Sequence, residues 1–192
     1  MSDSFMQNMI AERLGGKKFG KEDTVYKFEK IKRAKRAAQK EHPGIEIIDL
    51  GVGEPDGMTP EPIVSSLVKE AQEFGNRGYT DNGIAEFKNA AAEYMDRVFS
   101  VSGIDPENQV NHSIGSKSAL ALMPGALVNA GDTVLMTVPG YPVFGTHSKW
   151  LGAEVVNLPL TAANDFLPEL DKIEPAVAEK AKVLVINYPN NP

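Results

Sequence analysis

Short unbroken runs of Val, Leu and Ile alternate along this chain with longer stretches in which apolar residues recur every three or four positions. The first pattern predicts strands buried on both faces, the second amphipathic helices. "DTVLMTVP" (132–139), "AEVVNLPL" (153–160) and "AKVLVINYP" (181–189) read as strands, "IEIIDLGVG" (45–53) as a strand running into glycines, and "QVNHSIG" (109–115) as a weaker one. Between them, "EPIVSSLVKEAQEF" (61–74) predicts a helix capped by Thr59 with Pro60 at its first position. "IAEFKNAAAEYMDRVFSV" (84–101) sets Ile84, Phe87, Ala91, Tyr94, Met95 and Val98 on one face. Further helices are expected over 116–131, interrupted at Pro124, over 143–152 and over 167–180.

This alternation predicts an α/β fold: a mostly parallel sheet flanked by helices, from about Glu46 to Asn187. A helical N-terminal arm precedes it. The expected division is residues 1–45 as arm or small-domain segment and 46–192 as the first part of a larger domain. No internal repeat, low-complexity tract or Gly/Ser linker interrupts the pattern.

Composition narrows the chemistry. The 192 residues suffice for one sizeable core, and 42% hydrophobic with 24% charged residues is ordinary globular usage. With no cysteine, disulfides, thiol nucleophiles and thiolate metal sites are excluded. His42, His112 and His147 are scattered without ligand spacing, so no metal is expected. The N-terminus "MSDSFMQNMIAERLGG" lacks the basic start and apolar centre of a signal peptide, and no apolar run would span a bilayer, so the expectation is cytoplasmic, with no membrane partner.

The net charge of −6 conceals a basic stretch, since half of the twenty Lys and Arg residues fall between Lys17 and Lys40. A nucleic-acid arm is one reading. A solvated helix face is favoured, because Val25, Phe28, Ile31 and Ala34 recur at helical spacing and no aromatic platform accompanies the lysines. Nucleic acid is therefore not an expected partner.

In a parallel sheet the loops that follow the strands gather at one edge, where such folds bind ligands. Four loops there have unusual composition. "SIGSKSA" puts Gly115, Ser116 and Lys117 at a helix start, either an anion site or an ordinary Ser-capped start. It has neither P-loop nor dinucleotide-fold spacing. "VPGYPVF" holds Tyr141 in a stiff turn, where it can stack on a flat ring or be a half-buried turn aromatic. "GVGEPD" offers Gly51 and Gly53 to a carboxylate, while Glu54 and Asp56 lack partners for paired-carboxylate chemistry. "NYPNNP" supplies Asn191, an uncharged donor for a phenolic or alkoxide oxygen.

Taken together, a phosphate cup, a stacking ring, a carboxylate-binding glycine and an oxygen-binding amide describe a pocket for pyridoxal phosphate with an amino acid above it. "LGVGEPD", "GYTDNGIAEFKNA", "SIGSKSALALMPGALVNAGDTVLM", "VPGYPVF" and "VINYPNNP" together resemble the class I/II, fold-type I pyridoxal-phosphate-dependent aminotransferases, and most of all their LL-diaminopimelate subgroup. The resemblance runs from about Tyr26 to the end. It implies that Gly115, Ser116 and Lys117 hold the cofactor phosphate, Tyr141 stacks on the pyridine ring and Asn191 bonds its phenolic oxygen. Gly53 would meet the substrate α-carboxylate, and Tyr79 would cross a homodimer interface to the partner's phosphate, unless it packs locally.

The family's last motif continues Asn-Asn-Pro-Thr-Gly, so the expectation is an N-terminal half whose Schiff-base lysine lies beyond Pro192. Lys117 belongs to the phosphate cup and does not replace it. The segment alone is expected to be inactive. The complete protein would move an amino group between an L-amino acid, LL-2,6-diaminopimelate among the candidates, and a 2-oxo acid such as 2-oxoglutarate. A lyase or racemase of the same fold, or a non-catalytic interaction subunit, are the alternatives.

Overall fold

The computed structural model describes residues 5–21, 27–51 and 53–192. These fall into two compact units, one of residues 1–24 with 113–192 and one of residues 25–112. In the first, a short helix α1 (Phe5–Met9) precedes two 3₁₀ turns, and the Gln7 amide ties them together by donating to the carbonyls of Lys17 (3.0 Å) and Phe19 (3.1 Å).

The second unit carries α2 (Lys27–Glu41), α3 (Glu61–Gln72), α4 (Ala85–Phe99) and α5 (Pro106–Gln109). On α2 the basic stretch is partly self-neutralised, because Arg33 and Arg36 pair with Glu29 and Lys35 pairs with Asp49. The Lys35 ammonium, helped by the Gly51 N–H, holds the Asp49 carboxyl below its usual range. Val25 lies outside the described residues, and Ile31 is exposed. The α3 helix begins at Glu61, with Pro60 rather than Thr59 in the cap position and no side-chain cap. Pro62 in its first turn supplies the fixed φ that starts it. Across α4 and α5, the buried Lys88 ammonium reaches the Glu107 carboxylate at 3.1 Å, and Asp105 caps α5 by accepting from the Glu107 N–H.

The remaining elements of the first unit are α6 (Ser116–Leu127), β1 (Thr133–Val138), α7 (Val143–Trp150), β2 (Glu154–Pro159), α8 (Pro175–Lys180) and β3 (Ala181–Val185). The three strands form a parallel sheet in the order β2-β1-β3. The central strand is buried along five of its six residues, which is why its sequence is a continuous apolar run flanked by threonines. Val134 and Met136 on β1 pack with Val128 after α6 and Phe144 on α7, and Val155, Val183 and Val185 extend this core across the sheet. At the amino end of the ladder the Asn129 N–H (2.7 Å) and the Lys182 ammonium (3.1 Å) both donate to Asp132. The Asn129 N–H, then Lys182, hold that carboxyl below its usual range and pin β3 beside β1.

Two expected strands are absent from the described residues. Residues 46–50 and 110–113 are irregular, and Ile48 and Leu50 are 80% and 91% exposed. An extended run becomes a strand only when a neighbour completes its ladder, and the described sheet begins at Thr133. Pro124 does not interrupt α6. The helix runs through it to Leu127 with the proline ring buried, so tertiary packing outweighs the lost hydrogen bond. The 167–180 helix shortens to a 3₁₀ turn at Leu170–Lys172 and α8.

The α7–sheet contact sets a sharp packing limit. A Cβ on Gly145 would overlap Met136 Sδ and come within 3.4 Å of Val155. Gly145→Ala is therefore expected to destabilise the protein by about 1–3 kcal/mol despite its better helix propensity, the usual cost of overpacking a filled core. Chemical denaturation checks this, and an unchanged or raised midpoint would refute the tight helix–sheet packing.

Candidate active site

In the order β2-β1-β3, the chain leaving β1 proceeds to β2 on one side while β3 lies on the other. The carboxyl ends of β1 and β3 thus flank a topological switch point, where open α/β sheets form a crevice. A cavity of about 390 Å³ lies there, lined by Ser116, Leu120, Tyr141, Phe144, Val185, Ile186, Asn187 and Asn191.

Each polar member comes from a different local device. Ser116 opens α6 behind Gly115, whose φ of 72° and ψ of 156° lie in a region that essentially only glycine occupies. No side chain caps this helix end, since Ser113 and Ser118 donate to the carbonyls of Gly115 and Ile114 and leave the first N–H groups to other acceptors. A 12-residue helix then presents its positive dipole end beside the cavity. Tyr141, half-buried, follows β1 in a turn with no slack, because a Cβ on Gly140 would sit 2.6 Å from the Thr137 carbonyl oxygen.

The turn after β3 is cross-braced by its own amides. Asn187 accepts from the Asn191 N–H at 3.2 Å and donates to the Pro189 carbonyl at 3.3 Å. Asn190 donates across to the Pro139 carbonyl at 2.9 Å, and the Tyr188 hydroxyl donates to the Phe166 carbonyl at 2.7 Å. Leu120, Phe144, Val185 and Ile186 supply an apolar wall that suits a flat ring.

Of the residues singled out from sequence, Ser116, Tyr141 and Asn191 meet on this cavity. Gly115 and Lys117 flank Ser116 at the same helix start without lining it. Gly53 and Tyr79 belong to the other unit. There Gly53 has open space around its Cα, and the Tyr79 ring is fully exposed. Its loop is anchored at its far end, where the His112 N–H donates to the Asn82 carbonyl and the His112 ring meets Phe87 edge-on. Sequence reading missed Asn187 and Asn190, although both stand in the quoted "NYPNNP".

A second cavity of about 310 Å³ lies between β2 and residues 169–177, but it is mostly apolar and its Glu169 and Lys172 already pair with each other at 2.7 Å. Among the described residues no group of three or more His, Asp or Glu could hold a metal, and no helix is long and apolar enough to cross a membrane.

The first unit is thus an α/β domain with a crevice that joins an uncapped helix start, a tyrosine ring and side-chain amides. The family model "Aminotransferase class I and II" matches residues 45–192, and the chain belongs to that family. It is 58% identical over 190 residues to an LL-diaminopimelate aminotransferase of Methanocaldococcus jannaschii and 56% identical to one of Methanococcus maripaludis. Each alignment covers 99% of this chain and 46% of the relative. The chain thus spans about half the length of the curated relatives it matches. Among solved structures, apo-BacF from Bacillus subtilis superposes with a TM-score of 0.79 at 36% identity, covering 87% of this chain and 42% of that one.

The family depends on pyridoxal phosphate, and the residues of this chain fit that group. The uncapped α6 start suits a phosphate, the Tyr141 ring and apolar wall suit a pyridine, and the amides suit its phenolic oxygen.

Because a Cβ on Gly115 would meet nothing within 4 Å, the cost of replacing it is one of backbone conformation alone. Gly115→Ala is expected to cost about 1–3 kcal/mol and to move the first turn of α6. Titration with pyridoxal phosphate should then show weakened binding, whereas unchanged affinity would mean that the glycine-only conformation is not needed.

Proposed function

We propose that the full-length protein is a pyridoxal-phosphate-dependent aminotransferase and that this chain provides its cofactor cradle. The observation that carries the reading is the convergence of Ser116, Tyr141 and Asn191 on one crevice at the β1/β3 switch point. Residues 1–45 act in this reading as an arm or small-domain segment, and 46–192 as the first part of the cofactor-binding domain.

When bound, pyridoxal phosphate supplies a carbonyl carbon that accepts and returns an amino group and a ring that delocalises the electrons of the broken C–H bond. The chain's own residues bind and orient. Ser116 and the α6 N–H groups, with Gly115 and Lys117 beside them, hold the phosphate. Tyr141 covers one face of the ring. Asn191 donates to the phenolic oxygen and so sets how much negative charge that oxygen carries. Phe144, Leu120 and Val185 keep water from the ring. Gly53 receives the substrate α-carboxylate on its backbone. Lys117 is assigned to the phosphate in this reading and not to a covalent bond with the cofactor.

The names of the two relatives support LL-2,6-diaminopimelate as the amino substrate, with a 2-oxo acid such as 2-oxoglutarate as its counterpart. That chemistry belongs to lysine biosynthesis in the cytoplasm. The test is to load the full-length protein with pyridoxal phosphate and assay LL-diaminopimelate against aspartate and alanine with 2-oxoglutarate. The expected result is visible cofactor absorbance and preferred turnover of LL-diaminopimelate. Ser116→Ala should weaken cofactor retention about tenfold to a hundredfold, the scale of one hydrogen bond to a charged group. Cofactor absorbance without amino transfer would favour another reaction, and absence of absorbance would refute the cradle.

The protein is further proposed to be a homodimer in which Tyr79 of each chain serves the other's phosphate. A fully exposed tyrosine on a glycine- and asparagine-rich loop has no packing role within its own unit, and two-fold dimers are the commonest closed assemblies. In a heterodimer of a Tyr79→Phe chain with a Ser116→Ala/Lys117→Ala chain, both defects then fall on one site. One cofactor per dimer should bind with wild-type affinity. If no site of wild-type affinity remains, Tyr79 serves its own chain.

A further inference from the structure

The parallel ladder between β1 and β3 ends at the pair Met136 and Val185. β1 stays paired with β2 as far as Val138, but beyond Met136 and Val185 no backbone pairing fixes the spacing of the segments that carry Tyr141 and Asn191. One side-chain hydrogen bond crosses between them. Asn190 Nδ2 donates to the Pro139 carbonyl oxygen at 2.9 Å, joining residues 51 apart in sequence. Pro139 stands two residues before Tyr141, and Asn190 directly before Asn191.

We propose that Asn190 is a positioning residue that sets the separation of the Tyr141 ring from the Asn191 amide, and thereby the seat of the cofactor ring. The inference rests on the pyridoxal-phosphate reading of this cavity. Both anchor points are stiff enough to transmit the bond. On one side a Cβ on Gly140 would come 2.6 Å from the Thr137 carbonyl oxygen, so the Pro139–Tyr141 turn has little room. On the other, Asn187 closes the turn by accepting from the Asn191 N–H and donating to the Pro189 carbonyl. The Tyr188 hydroxyl holds the same turn to the Phe166 carbonyl. That carbonyl belongs to a loop with two successive left-handed residues, Asp165 (φ 52°) and Phe166 (φ 56°), a conformation that persists only where its surroundings hold it.

The orientation of the Asn190 amide is determined by this bond. Among the described residues its Oδ1 is buried without a hydrogen-bond partner, yet turning the amide over would set an oxygen against the Pro139 carbonyl oxygen and lose the bond the group makes there. The side chain therefore tolerates an unsatisfied acceptor in order to keep this one donor contact. Aspartate has the same shape but, when ionised, only accepts, so it separates a packing role from a hydrogen-bonding one.

The test compares wild type, Asn190→Ala, Asn190→Asp and Asn191→Ala in the full-length holoenzyme. The readouts are the dissociation constant of pyridoxal phosphate and the pH midpoint of its visible absorbance, with thermal unfolding followed in parallel. Both Asn190 variants are expected to weaken cofactor binding by about fivefold to tenfold, the scale of one neutral hydrogen bond. Both should also move the pH midpoint in the direction that Asn191→Ala moves it, by a smaller amount. A purely structural role would lower the unfolding temperature and leave that midpoint in place. If Asn190→Asp matches wild type in midpoint and affinity, or Asn190→Ala does so while folded, the inference is overturned. Should both variants fail to fold, a structure of the wild-type holoenzyme decides: Asn190 Nδ2 beyond hydrogen-bond distance of the Pro139 carbonyl overturns it, and retention of that bond with Tyr141 and Asn191 on the cofactor ring supports it. A wild-type protein with no cofactor absorbance overturns the pyridoxal-phosphate reading itself, and this inference with it.

Discussion

Burial of β1 on both faces and pairing along both of its edges is the constraint on which the crevice depends. A strand in that position must be apolar throughout, and its neighbours must run parallel to it because helices cover the sheet. Parallel pairing sends every carboxyl end to the same edge. With β2 on one side and β3 on the other, the chain leaves β1 away from β3, and the cavity lies at the carboxyl ends of these two strands. Asp132, held between the Asn129 N–H and Lys182, fixes β3 at the opposite end of the ladder. The floor of the site is therefore set by interactions well away from its polar residues.

The first unit was largely readable from its sequence. The boundaries of β1 and β2 fall within a residue or so of the apolar runs, whereas β3 stops at Val185, four residues short of the expected 181–189. Buried strands declare themselves because one residue pattern serves one environment. Strand order does not declare itself, since Val183 or Val155 would look the same on either side of β1. The 45–53 segment misled for a related reason: its alternation describes a strand that needs a partner, and the described sheet provides none for it. Pro124 misled in the opposite sense, because packing around a buried ring overrode a local helix breaker.

The candidate site was legible where residue type and backbone chemistry coincide. Gly115 before Ser116 marks a helix start that an anion can approach, and Tyr141 between Gly140 and Pro142 marks a stiff turn. In "NYPNNP" the same reasoning fails to rank three asparagines, because turn chemistry suits each of them. Only the fold separates their duties. Asn191 and Asn187 line the cavity, Asn187 also closes its own turn, and Asn190 reaches across to the β1 loop. A side chain whose partner is 51 residues away carries no local signature of that contact.

This division of labour explains how a crevice between two loops can be geometrically sharp. Loops are the most mobile parts of a fold, and a cofactor site needs its groups held to within a fraction of an ångström. Here the sheet holds β3 up to Val185 and β1, through β2, up to Val138, and beyond them a sequence of side-chain bonds takes over from the backbone ladder. Asn190 to Pro139, Asn187 to the Asn191 N–H and Tyr188 to Phe166 are each modest alone. Because they share one short turn, loosening any one frees the same few residues, so their contributions should be coupled rather than additive. The polar residues beside the cavity thus fall in two tiers: Ser116, Tyr141 and Asn191 line the cavity, and the amides and hydroxyl behind them brace the turn that carries Asn191.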